Sequence, residues 1–214
     1  MITVTEPMLD ELRKRVMSSM SQKRAIHTLA VEEMIVRLCA LYCPEYTVQM
    51  RAAALLHDVT KELRNEEQLS LCQEYGIELT PADLLSPKTH HARTAAEKIV
   101  RDFSEFADPI IVNAVRWHTT GHAGMTLTEK LLYLADYIDE SRTFPSCVLL
   151  RRYFFGANPD GMDRDERNAL LSDTLILSYD MTVRDLLEEG KLVAADTVNA
   201  RNDLLIEAAN RRTY

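Results

Sequence analysis

Five separated segments of this 214-residue chain carry histidine or aspartate at positions where helical spacing otherwise places apolar side chains: His27, the adjacent pair His57-Asp58, His91, His118 and Asp136. Imidazole nitrogens and carboxylate oxygens without thiolates suit iron, manganese, cobalt or zinc better than copper(I) or an iron–sulfur cluster, and they admit more than four ligands per ion. Asp58, with two oxygens, could bridge two ions. A two-metal centre of that kind holds a shared water or hydroxide, lowers its pKa and aims it at phosphorus.

The metal reading depends on which helical face each residue occupies. His27 shares its face with Ala30, Val31, Met34, Ile35 and Leu38, the apolar stripe of its helix. His57 and Asp58 follow Ala53, Ala54 and Leu55 at three- and four-residue spacing, where the alanines leave room. His91 leads to Ala95 and Ile99, whereas its neighbour His90 leads to Arg93, Thr94, Glu97 and Arg101, so His91 is the inward one. His118 follows Ile110, Ile111, Ala114 and Val115. Asp136 sits inside the run LLYLADYI, and an ionised carboxylate there must be paired, protonated or bound to a cation.

The elements that position these groups are helices. Apolar residues recur at three- and four-residue spacing almost throughout, which predicts an all-α fold with helices near 6–20, 22–43, 47–62, 65–75, 89–104, 107–119, 126–140, 146–155, 165–189 and 196–211. Turn chemistry places the breaks at Cys43-Pro44, Tyr75-Gly76, Thr80-Pro81, Ser86-Pro87, Asp108-Pro109, Gly121 to Gly124 and Phe144-Pro145. The length suits one domain over 1–214, with a metal-binding region over about 22–142 and C-terminal helices over about 146–211 packed on it.

Composition narrows the function classes. A net charge of -8 argues against a broad grip on nucleic acid, which needs clustered Lys and Arg, but leaves room for a small anion. No segment is apolar for the roughly 18 residues that a membrane span requires, and the N-terminal run MITVTEPMLDELRKR has no leader-like pattern. The expectation is a soluble, cytoplasmic protein. Cys39, Cys43, Cys72 and Cys147 form no CxxC pair and read as reduced, buried thiols. The segment GANPDGMDRDER suggests a calcium loop only superficially: Gly156 and Arg167 stand where Asp and a bidentate Glu are required, so it reads as a turn before a helix.

The segments KRAIHTLAVEE, AALLHDVTKEL, THHARTAAEKI, VRWHTTGHAGMTLTEKLLYLADYIDESRTFP and DTVNARNDLL, spanning residues 23–203, carry a closer likeness. With its H…HD…H…H…D pattern the chain resembles the HD superfamily, and more narrowly the YqeK-type group. That resemblance implies hydrolysis of symmetrical dinucleoside tetraphosphates, diadenosine tetraphosphate above all, into two ADP at a di-metal centre. Iron is the implied metal, with manganese or cobalt as alternatives. His27, His57, Asp58, His91, His118 and Asp136 match the metal-binding positions, with Asp58 as the bridge.

Around these ligands, Arg24 lies three residues before His27 and Lys61 four after His57, each within one helical turn of a ligand. Thr119 and Thr120 extend from His118, and Arg142 follows Asp136 beyond its helix. Arg24, Lys61, Thr119, Thr120 and Arg142 are the candidate substrate contacts, and Lys61 and His122 the candidate general acids. His122 stands where the resemblance implies arginine, and residues 146–168 match the family less clearly. The rival readings are an HD phosphohydrolase acting on a nucleoside monophosphate or a guanosine polyphosphate, and a non-catalytic metal- or nucleotide-binding module. The expected partner is a small-molecule nucleotide, with homodimer formation left open.

Overall fold

The computed structural model describes residues 4–212, and among them all regular structure is helical. The fold is all-α and single-domain: one apolar core runs from Val4 to Leu204. Residues 1–3 and 213–214 of the expected 1–214 domain lie outside the described residues.

Each helix predicted from spacing is present. The site-bearing elements are α2 (Gln22–Tyr42), α3 (Thr47–Leu56), α6 (His90–Asp102), α7 (Pro109–Trp117) and α8 (Leu127–Ile138). Their starts follow capping chemistry. Ser21 accepts from the Arg24 amide, Asp108 accepts from Ile110 ahead of Pro109, and Thr126 and Glu129 form a capping box. Proline opens both α7 and α9 (Pro145–Gly156), where its missing N–H costs nothing. The segment at 156–167 is a short turn followed by an Asp163–Glu166 capping box that starts α10 (Arg164–Glu188).

Two differences matter. Helix α3 stops at Leu56, not near residue 62; residues 57–63 continue as tight turns, with Lys61 N–H donating to Asp58 C=O at 3.0 Å and Leu63 N–H to Thr60 C=O at 3.2 Å. A buried polar relay holds these turns on α6. The Thr60 hydroxyl donates to His91 C=O at 2.9 Å, Gln68 donates to Thr60 C=O at 2.5 Å, and Thr94 donates to Gln68 at 2.8 Å. The local fit of side chain to backbone therefore overrides the helical continuation that periodicity suggests. The second difference is a four-residue helix, α5 (Pro81–Leu84), too short for a periodic signal.

The loop after α7 turns on Gly121, which has φ +62°. A Cβ there would lie 2.0 Å from the Tyr179 hydroxyl and 2.9 Å from Met125 Sδ, so both backbone conformation and space exclude a side chain. Gly121→Ala is expected to lower the unfolding free energy by about 2–4 kcal/mol in urea denaturation. Gly76→Ala is the control, also left-handed but with no heavy atom within 4 Å; it should cost only about 1 kcal/mol. Equal losses would show that Tyr179 gives way freely.

Candidate metal centre

Histidines 57 and 118 occupy the C-cap positions of α3 and α7. At a helix end the last carbonyls lack amide partners. His57 Nδ1 uses one of them, Ala54 C=O at 2.6 Å, and His118 Nδ1 uses Val115 C=O at 2.6 Å. In the first turn of α6, His91 Nδ1 meets Lys88 C=O at 2.9 Å. A carbonyl can only accept, so each Nδ1 carries the proton and each Nε2 presents a lone pair.

These lone pairs converge on Asp58, which is 4% exposed. Its Oδ2 lies 3.3 Å from His57 Nε2 and 3.7 Å from His27 Nε2, while its Oδ1 lies 3.3 Å from His91 Nε2 and 3.8 Å from His118 Nε2. Asp136 Oδ1 closes the first side, 3.0 Å from His27 Nε2 and 3.8 Å from His57 Nε2. One carboxylate thus stands between two imidazole pairs, each facing a different oxygen.

The donor set fits divalent cations. His27, His57 and Asp136 place ligand atoms within 4.8 Å of one another, and so do His57, Asp58 and His118. The buried Nε2 atoms of His27 and His57 have no hydrogen-bond partner, which for groups so enclosed leaves a desolvation cost unmet. His91 Nε2 and His118 Nε2 face each other at 3.1 Å, and two lone pairs at that separation repel unless a proton donor or a positive charge stands beside them. Lys61 Nζ, 3.1 Å from His91 Nε2, supplies one from the protein.

Burial works to raise the Asp58 carboxyl, but His57 and His118 hold it well below the usual carboxylate range. Burial likewise opposes ionisation of Asp136; Arg142, then His27 and His57, prevail and hold it well down. Burial pushes the Lys61 ammonium, His118 and, further, His91 below their ordinary values. For His27 burial pulls the same way, but Asp136 and then Asp139 overcome it and raise the imidazole to about 9. A cation ligated by His27 would therefore compete with a proton.

Of the outcomes open to Asp136, pairing is met within the protein: Arg142 Nη2 donates to its Oδ1 at 2.5 Å. The case for a cation accordingly rests on the converging Nε2 atoms more than on Asp136 burial. Lys61 reaches the centre through the 57–63 turns, not along a continuous helix. His90 is as buried as His91, turned to Asp83 C=O at 2.8 Å, although helical spacing put it on the polar side.

Of the surrounding residues, Arg24 ion-pairs with Asp58 Oδ2, and Thr119 Oγ1 lies 3.1 Å from His91 Nε2 and 3.2 Å from His118 Nε2. Thr120 points to Gly121 C=O at 3.0 Å. His122 is not brought to the centre: its ring lies against Trp117, with centroids 4.5 Å apart, and its Nε2 is 3.2 Å from Glu129. Sequence reading missed Asp139, fully buried, whose Oδ2 lies 3.3 Å from His27 Nδ1. The signal was present in DYID, which sets two carboxylates three residues apart.

The chain belongs to the HD-domain family, whose model matches residues 24–141. It is similar to the symmetrical bis(5'-nucleosyl)-tetraphosphatase of Bacillus subtilis (strain 168), 31% identical over 89% of this chain and 94% of that protein. The enzyme of the same name from Halalkalibacterium halodurans is 30% identical over 88% of this chain and 92% of its own length. Among solved structures, an HD superfamily hydrolase described as involved in NAD metabolism, from Clostridium acetobutylicum, superposes with a TM-score of 0.79. It is 30% identical, covering 92% of this chain and 97% of that one.

His27 differs from the other imidazoles in leaning on side chains, Asp139 and Ser141 Oγ at 3.3 Å, for its Nδ1 contact. A carboxylate behind a ligating histidine raises its basicity and fixes its tautomer. Asp139→Asn is expected to weaken metal binding by about 10–100-fold in chelator competition, with unchanged helical circular dichroism. Unchanged affinity would reduce Asp139 to a cap for the end of α8.

Proposed function

We propose that this chain hydrolyses symmetrical dinucleoside tetraphosphates, cutting diadenosine tetraphosphate into two ADP, at a centre for two divalent cations. Iron is the proposed metal, with manganese or cobalt as alternatives. The observation that carries the reading is Asp58 between two imidazole pairs. The substrate follows from the relatives, whose names specify symmetrical tetraphosphate cleavage and which match nearly the whole chain.

His27, His57, Asp136 and Asp58 Oδ2 would hold one cation, and His91, His118 and Asp58 Oδ1 the other. Bound there, such cations polarise phosphoryl oxygens and lower the pKa of a water at the central anhydride. Arg24 and Arg142 neutralise Asp58 and Asp136, and their remaining guanidinium donors would meet phosphate oxygens. Lys61, held beside His91, neutralises charge developing on the leaving diphosphate. Thr119 donates its hydroxyl to a phosphate oxygen at the His91–His118 side. Thr120 lies one residue further out, and His122, paired with Glu129, holds the loop.

The region over about 22–142 supplies the centre and the C-terminal helices wall its cleft, since Met181, Thr182 and Arg184 line it beside Asp136 and Arg142. No helix among the described residues is long and apolar enough to cross a membrane. The four cysteines are free and buried, which supports a reducing compartment, the cytoplasm.

Product chromatography on anaerobically purified protein tests the assignment. ADP alone should form from diadenosine tetraphosphate. AMP with ATP, or no turnover beside rapid cleavage of a nucleoside monophosphate or guanosine polyphosphate, would reject the substrate. No turnover of any nucleotide would leave a binding module.

A further inference from the structure

Arg151 stands in the middle of α9, beyond residues 24–141, the stretch that the family model matches. Its side chain is largely buried and directs every guanidinium nitrogen at the segment that leaves α8. Nε donates to Ile138 C=O at 2.7 Å, and Nη2 donates to Asp139 C=O and, at 2.9 Å, to Arg142 C=O. Nη1 pairs with Glu140 Oε2 at 3.2 Å. Ile138 closes α8, and the last carbonyls of a helix lack amide partners. A cation placed there also meets the negative end of the helix dipole. Arginine can hold several carbonyls at once because its donors form a rigid planar fork, which the point charge of lysine does not provide.

The segment so held braces one side of the metal centre. Asp136 lies in the last turn of α8, and Arg142 donates to its carboxylate. Asp139 Oδ2 and Ser141 Oγ each lie 3.3 Å from His27 Nδ1, and the Ser141 amide donates to Asp139 Oδ1 at 2.9 Å. The other imidazole pair is braced elsewhere in the chain, His91 by Lys88 C=O and His118 by Val115 C=O.

We propose that Arg151 is a positioning residue for the cation on the His27–Asp136 side. By fixing the carbonyls of Ile138, Asp139 and Arg142 it sets where Asp139 and Ser141 meet His27 and where Arg142 meets Asp136. Helix α9 thereby acts on the metal centre from behind the turn. The inference rests on the two-cation reading above and is independent of the substrate.

Manganese titration of the metal-depleted full chain tests it. Arg151→Gln is expected to weaken one of two manganese ions about tenfold or more and to leave the other within about twofold. Arg151→Lys, which keeps the charge but not the fork, should weaken the same ion about threefold, and it carries the comparison if Arg151→Gln does not fold. Glu140→Gln leaves the three carbonyl contacts in place and should change neither ion by more than about twofold. With His27→Ala already present, Arg151→Gln should add less than about twofold, because both changes act on one ion. Equal weakening of both ions would overturn the inference by showing a general loosening of the fold. Unchanged binding in both Arg151 variants would overturn it as well. Natural-sequence protein that takes up a single manganese ion would sink the two-cation reading instead; the inference then stands if Arg151→Gln weakens that ion and adds nothing to His27→Ala, and falls otherwise.

Discussion

The carboxylate of Asp58 held between two imidazole pairs is the constraint around which the rest of the molecule is arranged. Three carboxylates, Asp58, Asp136 and Asp139, and four imidazoles are gathered in one place. Such a cluster is stable only if its charge is balanced and its polar atoms are satisfied. The protein does part of this itself, with Arg24 on Asp58, Arg142 on Asp136 and Lys61 beside His91. It leaves the Nε2 atoms of His27 and His57 without a hydrogen-bond partner, and those are atoms that a cation would satisfy.

Helix ends explain how such a cluster can be built with fixed orientation. His57 and His118 each close a helix by taking up a carbonyl that the helix leaves free, and that contact also selects the tautomer with Nε2 turned inward. The negative end of each helix dipole then points at the centre, which favours positive charge there. His27, in mid-helix, has no such carbonyl; Asp139 and Ser141 take its place. The polar relay of Thr60, Gln68 and Thr94 fixes the turn carrying Asp58 against α6.

Much of this was legible in the sequence because helices repeat their geometry. Spacing alone placed His27, His57, Asp58, His91 and His118 on apolar faces, and each is buried. What escaped was set by tertiary contact. The break of α3 at Leu56 follows from the turns docked on α6, and His90 is covered only because the chain returns through Asp83. Asp139 is buried between the His27 ring and Arg142, a placement that depends on α2 packing beside the end of α8.

Metal counting on anaerobically purified protein, for the natural sequence and for Asp58→Ala, is the most direct measurement of the bridging role. Two ions per chain are expected in the natural protein and no more than one after the substitution. A single ion per chain, or two retained without the Asp58 carboxylate, would contradict it.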